Sequence, residues 1–260
     1  MERYLDINNL VVDFKTMDGD FRALDIDHLD ICRGESFGIV GESGSGKTVL
    51  ALAILGLLPP TAVKIRSGEI LLEGEDLLKL DKKAITEIRG KKVAMIFQDP
   101  MSSLNPVFTI GQQMRDVIRC HRKMSRKEAD QEALKALEMV QMPDAGACLD
   151  KYPHQLSSGQ RQRVVIALAL SCQANFLIAD EPTRNLDVTI QAGILKLIDS
   201  LRKELGITVL YISNNFSLAS VVCSRIAVLR SGKIIECNTK DQILKYPTQD
   251  YTRLLLKVGG

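Results

Sequence analysis

The sequence contains no tryptophan and only 5% aromatic residues, and its formal net charge is +2 over 260 residues. It therefore offers neither a basic stripe nor a stacking platform for nucleic acid, and a nucleic-acid partner is not expected. Long hydrophobic runs are missing as well. The longest, residues 49–58, is interrupted by Pro59 and Pro60 and falls short of the ~20 residues that cross a bilayer. Cysteine is present six times, but Cys32, Cys120, Cys148, Cys172, Cys223 and Cys237 show no short paired spacing. Neither a zinc knuckle nor a redox dithiol is suggested, and the cysteines are expected to be small buried side chains. The N-terminal MERYLDINNL lacks the charged-then-apolar pattern of a secretory signal, which leads to the expectation of a cytoplasmic protein. No internal repeat or low-complexity linker is visible. With 45% hydrophobic and 25% charged residues, the chain can bury a large core.

The first segment with chemistry is GESGSGKT at residues 41–48. Gly41, Glu42, Ser43, Gly44, Ser45, Gly46, Lys47 and Thr48 fit the phosphate-loop pattern G-x-x-x-x-G-K-[ST]. An apolar segment at residues 37–40 precedes the loop as an expected buried strand, and VLALAILGLL follows as a helix expected to run to the two prolines. Strand, glycine loop and helix together bring backbone N–H groups and a helix N-terminus onto anionic phosphate. Lys47 would reach the β- and γ-phosphates and Thr48 would ligate Mg²⁺. The loop alone does not separate a kinase, a GTPase and a transport ATPase.

NFLIADE at residues 175–181 is an apolar run ending in two acids, the pattern of a central parallel strand delivering carboxylates at its C-terminal edge. Asp180 is the candidate Mg²⁺ partner through water. Glu181 is the candidate base that polarises an attacking water.

LSSGQRQRV at residues 156–164 resembles the LSGGQ signature of ATP-binding-cassette ATPases, and the likeness covers nearly the whole chain. The resemblance implies a signature whose serine and glycines face ATP bound to a second subunit. Ser157, Gly159 and Gln160 match that motif, while Ser158 replaces its first glycine. A helix is expected to start at Gln160, and Ser158 is tolerable there if its φ is negative. Gln98, closing the apolar VAMIFQ, matches the glutamine associated with Mg²⁺ and the attacking water. Asp187, in RNLD, matches the aspartate that crosses to the opposite site. Phe14, rather than Phe21, is the residue expected near adenine. The family's switch histidine falls on Asn214, after VLYIS. Asparagine still donates a hydrogen bond but is shorter and cannot become cationic.

The implied fold is α/β, a P-loop core with an N-terminal antiparallel β layer and an inserted α-helical subdomain. Residues 1–98 and 164–260 are assigned to the core and 99–163 to the helical insertion. TIGQQMRDVIRC and SRKEADQEALKALEMV read as amphipathic helices, the second opening on a Ser125–Glu128 capping box. A helix over 188–205 closed by Gly206 and a strand ITVLYIS follow.

IFQDPMSSLNPVFTIGQQM, YPHQLSSGQRQR and YPTQDYTRLL resemble the importers of oligopeptides, dipeptides or nickel. That likeness implies ATP and Mg²⁺ as ligands, a second related ATPase chain, two membrane permeases and an external binding protein. It also implies a peripheral place on the cytoplasmic face of the inner membrane. Met101, Leu104, Pro106, Val107 and Phe108 are the residues expected to receive a permease helix. Three readings stay open: an active ATPase subunit of an importer, favoured by Glu181 and Asp187; an ATP-binding regulatory subunit that hydrolyses slowly, favoured by Asn214; and a soluble cassette ATPase working on ribosomes or DNA, disfavoured by the lack of a second cassette or a long coiled-coil insertion.

Overall fold

The computed structural model describes residues 2–17 and 19–258. In chain order the elements are β1 (Arg3–Thr16), β2 (Gly19–Cys32), β3 (Ser36–Val40), α1 (Lys47–Ile54), β4 (Val63–Leu72), β5 (Glu75–Asp76), α2 (Lys82–Ile88) and β6 (Val93–Ile96). Next come α3 (Pro100–Ser103), α4 (Ile110–His121), α5 (Arg126–Met139), α6 (Ala145–Leu149), α7 (Ser158–Ser171) and β7 (Phe176–Asp180). The chain closes with α8 (Val188–Leu205), β8 (Thr208–Ser213), α9 (Phe216–Val222), β9 (Arg225–Arg230), β10 (Lys233–Thr239), α10 (Lys240–Lys245) and α11 (Asp250–Val258). Two compact units result: Met1–Glu87 with Thr208–Gly260, and Ile88–Ile207.

In the first unit an antiparallel sheet runs in the order β2-β1-β4-β5. Its last hairpin turns on Glu73 (φ 52°) and Gly74 (φ 80°), the positive pair that a two-residue loop requires. A second layer places β3 between β8 and β9, parallel to both, with β10 antiparallel to β9. Every residue of β3 and β8 is buried, as expected for parallel strands covered on both faces. Arg225 of β9 reaches across to β2: its two terminal nitrogens donate to the Asp30 carboxylate at 3.2 Å each. It also bonds Glu35 at 3.3 Å and lies over the Phe37 ring.

Helix α1 stops at Ile54, earlier than the prolines led one to expect. Gly56 adopts φ 59°, Leu57 N–H returns to Leu52 O at 2.8 Å and Gly56 N–H to Ala53 O at 3.0 Å. This left-handed glycine closure satisfies the last carbonyls before any proline is reached.

The second unit pairs β6 with β7 in parallel and carries the helices α3 to α8. Helix α4 opens on a Thr109–Gln112 capping box and α5 on the expected Ser125–Glu128 box. Ile110, Met114 and Ile118 form the buried stripe of α4, and Gly111 sits where a Cβ would lie 2.9 Å from Leu149 O. Helix α7 begins at Ser158 and runs unbroken past residue 164 to Ser171. Helix α8 ends on Gly206 at φ 65° as its sequence suggested. Three cysteines are buried, but Cys120 and Cys237 are exposed, one beside the buried stripe of α4 and the other on edge strand β10.

Partial burial works to raise the Asp30 carboxyl, but the Arg225 hydrogen bonds and charge outweigh it and hold it below the usual carboxylate range. A carboxyl depressed in the fold contributes stability that is full above its unfolded pKa and lost as pH falls through the folded value. The melting temperature should therefore fall below about pH 4, and Asp30→Asn should make that decline shallower in a thermal-melt series.

Candidate functional site

The first unit holds the phosphate loop. β3 ends at Val40, and the chain leaves it through Gly41 directly against β9, where any Cβ would collide with the Leu229 carbonyl oxygen. Gly46 (φ 109°) allows an equally close approach, since its Cβ would lie 2.7 Å from Ala23 O. Gly44 also has positive φ, at 82°. Gly232 N–H donates to Ser45 O at 2.9 Å, and Glu42 N–H donates to Tyr251 Oη at 3.2 Å. The loop curls around Lys47, which is only 5% exposed and donates to Gly41 O and Glu42 O at 2.8 Å each. A buried ammonium needs such partners.

Ser45 Oγ is buried without a hydrogen-bond partner, while Glu42, Ser43, Gly44 and Thr48 are exposed. An unpaired hydroxyl, a lysine held by loop carbonyls and the start of α1 form a seat suited to phosphate oxygens.

Asn214 leaves the strand next door. Val40 and Ser213 are register partners in β3 and β8, so Gly41 and Asn214 emerge from the same ends of adjacent parallel strands. Asn215 turns back to cap α9 through Leu218 N–H at 3.2 Å and is fixed by Ser213 Oγ at 3.0 Å. Asn214 itself is exposed. Phe14 and Phe21 are direct cross-strand partners and thus share one face of the antiparallel sheet. Phe14 is half-buried beside Val63, while Phe21 is 60% exposed.

The second unit holds the carboxylates. Ile96 and Ala179 are register partners, and two residues further on Gln98 Nε2 donates to Glu181 Oε2 at 2.8 Å. Gln98 lies two residues past the end of β6, which stops at Ile96. Asp180 closes β7 and is buried. Glu181 adopts φ 43°, a left-handed conformation held by the turn in which Arg184 N–H bonds Glu181 O at 3.0 Å. Arg184 Nη1 donates to Glu181 Oε2 as well, at 3.1 Å. That cation was not anticipated from sequence: three residues of separation mean contact only once the backbone turns. Asp187 starts α8 with a carboxylate that does not cap it.

Ser157 is the N-cap of α7, in a capping box: Gln160 N–H donates to Ser157 Oγ at 3.3 Å, and Ser157 N–H donates to Gln160 Oε1 at 2.9 Å. The helix expected from Gln160 thus starts two residues earlier, because this box satisfies its first donors. Ser158 is the first helical residue and is absent from the positive-φ set, so its Cβ brings no backbone strain. Gly159 is buried, and a Cβ there would lie 3.1 Å from Ile190 Cγ2 of α8. Of the five apolar residues expected to receive a partner helix, Leu104 is buried and packs internally, whereas Met101, Val107 and Phe108 are 46%, 69% and 46% exposed and Pro106 is exposed.

The family model described as ABC transporter matches residues 24–184. The chain belongs to the ABC transporter family. It is similar to the dipeptide transport ATP-binding protein DppD of Bacillus subtilis, at 45% identity over 98% of this chain and 76% of that protein. A probable D,D-dipeptide transport ATP-binding protein, DdpD of Escherichia coli, is 45% identical over 97% of the chain and 77% of its own length. Among solved structures, the ATP-binding cassette MJ0796, a dimer in a post-hydrolysis state bound to ADP and Pi, is 29% identical. It superposes with a TM-score of 0.80 over 91% of this chain and 98% of that one. CbiO1 of Clostridium perfringens, part of the ABC transporter complex cbiONQ, gives 0.81 at 27% identity over 100% and 98%. As an ABC transporter ATPase, the chain binds nucleotide.

The contact between Gly159 and Ile190 makes a direct prediction. Gly159→Ala should destabilise the protein by about 1 kcal/mol, because the neighbouring helix must give. Adding Ile190→Ala, which removes the Cγ2 methyl that the new Cβ meets, should restore part of the loss in a denaturant-unfolding comparison.

Proposed function

We propose that the chain is the ATP-hydrolysing subunit of an importer of short peptides. The observation that carries the hydrolytic part is the 2.8 Å hydrogen bond from Gln98 to Glu181, which holds a carboxylate in a fixed orientation past the strand edge. Peptides as cargo are supported by relatives named for dipeptide and oligopeptide transport at 42–45% identity over 97–98% of this chain. These names favour peptide over nickel.

In this reading residues 41–48 seat the phosphates, with Lys47 exchanging the Gly41 and Glu42 carbonyls for phosphate oxygens. Phe14 lies toward adenine. Glu181 takes a proton from the attacking water, and Gln98 keeps its carboxylate aimed. Among the described residues no cluster of three His, Cys, Asp or Glu forms a metal cage. Thr48 of the first unit and Asp180 and Gln98 of the second each carry an oxygen donor of the kind Mg²⁺ takes, an ion commonly held by one or two carboxylates together with substrate phosphates. When bound, Mg²⁺ would neutralise charge on the phosphates. Ser157, Ser158, Gly159, Gln160 and Asp187 serve the site of a second, related ATPase subunit, so that the pair works as a heterodimer.

No helix among the described residues is long and apolar enough to cross a membrane. The exposed Met101, Val107 and Phe108 suit a contact with two permeases, fed by an external binding protein. The subunit then sits on the cytoplasmic face of the membrane.

A second reading rests on Asn214. The exposed amide beside the phosphate loop replaces an imidazole, and losing one preorganised contact to developing charge typically costs ~10²- to 10³-fold in rate. ATP binding persists while this chain's own site turns over slowly.

Phosphate release by the assembled transporter separates the two. With Glu181→Gln in this chain alone, a fall in rate supports the active reading and an unchanged rate supports the second. Asn214→His should raise turnover by at least ~10-fold if the amide is limiting. No gain in a normally assembled complex would count against that role.

A further inference from the structure

The phosphate loop is braced from behind by elements close to the end of the chain. Glu42 is gripped at both ends of its backbone: its N–H donates to Tyr251 Oη at 3.2 Å, and its carbonyl accepts from Lys47 Nζ at 2.8 Å. Tyr251 belongs to α11 and is 8% exposed. The guanidinium carbon of Arg230 lies 4.6 Å from the centre of its ring. Two residues on from Arg230, Gly232 N–H holds Ser45 O at 2.9 Å. Burial pushes the Tyr251 hydroxyl up, which keeps it neutral. Helix α11 also packs on α9, the helix that starts directly after Asn214 and Asn215.

Lys47 and Tyr251 thus act on the same residue from opposite sides. Lys47 must let go of the Glu42 carbonyl to meet phosphate, whereas Tyr251 has no reason to release the N–H. A loop fixed at Glu42 keeps its curl through that exchange; a loop freed there has more conformations to lose when nucleotide binds.

We infer that Tyr251 is a positioning residue of the phosphate loop, through which the docking of α11 sets nucleotide affinity. This rests on the reading of residues 41–48 as the ATP seat.

Titration of the intact chain of residues 1–260 with ATP tests it. Tyr251→Phe keeps the ring and the Arg230 contact and removes only Oη, and should raise the Kd for ATP about 3- to 10-fold. Its melting temperature should stay within about 2 °C. In the assembled transporter the KM for ATP should rise by a similar factor with kcat within twofold, the signature of lost ground-state positioning. Arg230→Gln leaves Oη in place but loosens the ring, and should raise the Kd roughly 2- to 3-fold. Leu254→Ala, on the exposed side of the same helix, should change nothing.

An unchanged Kd in Tyr251→Phe overturns the proposal whatever Arg230→Gln does, as does an equal weakening in Leu254→Ala. Lys47→Ala distinguishes this failure from failure of the ATP seat itself. If it leaves ATP binding intact, the seat is wrong; if it abolishes binding while Tyr251→Phe does nothing, the seat stands and the positioning role falls.

Discussion

At the phosphate loop, backbone meets backbone with no side chain between them, and the rest of the site depends on that approach. Gly41 runs against the Leu229 carbonyl and Gly46 against the Ala23 carbonyl, so β9 and β2 both press on a loop of eight residues. A Cβ at either position would push the loop off its support. Pressed in this way, the loop turns its carbonyls onto a buried lysine. Among the described residues the buried Ser45 hydroxyl has no partner and is left for an anionic ligand.

The register of the parallel strands then decides which side chains share an edge. Pairing Val40 with Ser213 brings the loop and Asn214 to one end of the first unit, and pairing Ile96 with Ala179 brings Gln98 and Glu181 together in the second. A one-residue slip of either strand would turn every side chain over. The hydrogen bond between Gln98 and Glu181 is therefore as firmly specified as the core beneath it.

Departures from the family pattern differ in their consequences. Ser158 falls on the first residue of a helix whose cap is already supplied by Ser157 and Gln160, so its extra atoms meet no backbone constraint. Asn214 stands exposed at a strand end, where a shorter side chain changes reach and charge and leaves packing untouched. The first substitution is absorbed by helix capping. The second alters only the chemistry available beside the loop of residues 41–48.

Much of this could be read from the sequence because it is local. The glycine pattern of 41–48, the apolar run into Asp180, the capping box at Ser125 and Gly206 after α8 each express constraints spanning a few residues. Element ends were read less well: α1 closes at Gly56 before its prolines, α7 starts at its capping box, and Leu104 turns inward while Val107 stays out. The partners of those local motifs were not legible. Leu229 behind Gly41, Ile190 against Gly159, Arg184 on Glu181 and Tyr251 on Glu42 depend on turns and on chain separations of up to 209 residues. Sequence alone determined which chemistry the chain carries, because motif residues act through their own backbone and side chains. Only the tertiary structure decided what holds that chemistry in place, because a contact across the fold leaves no periodic trace in the residues that make it.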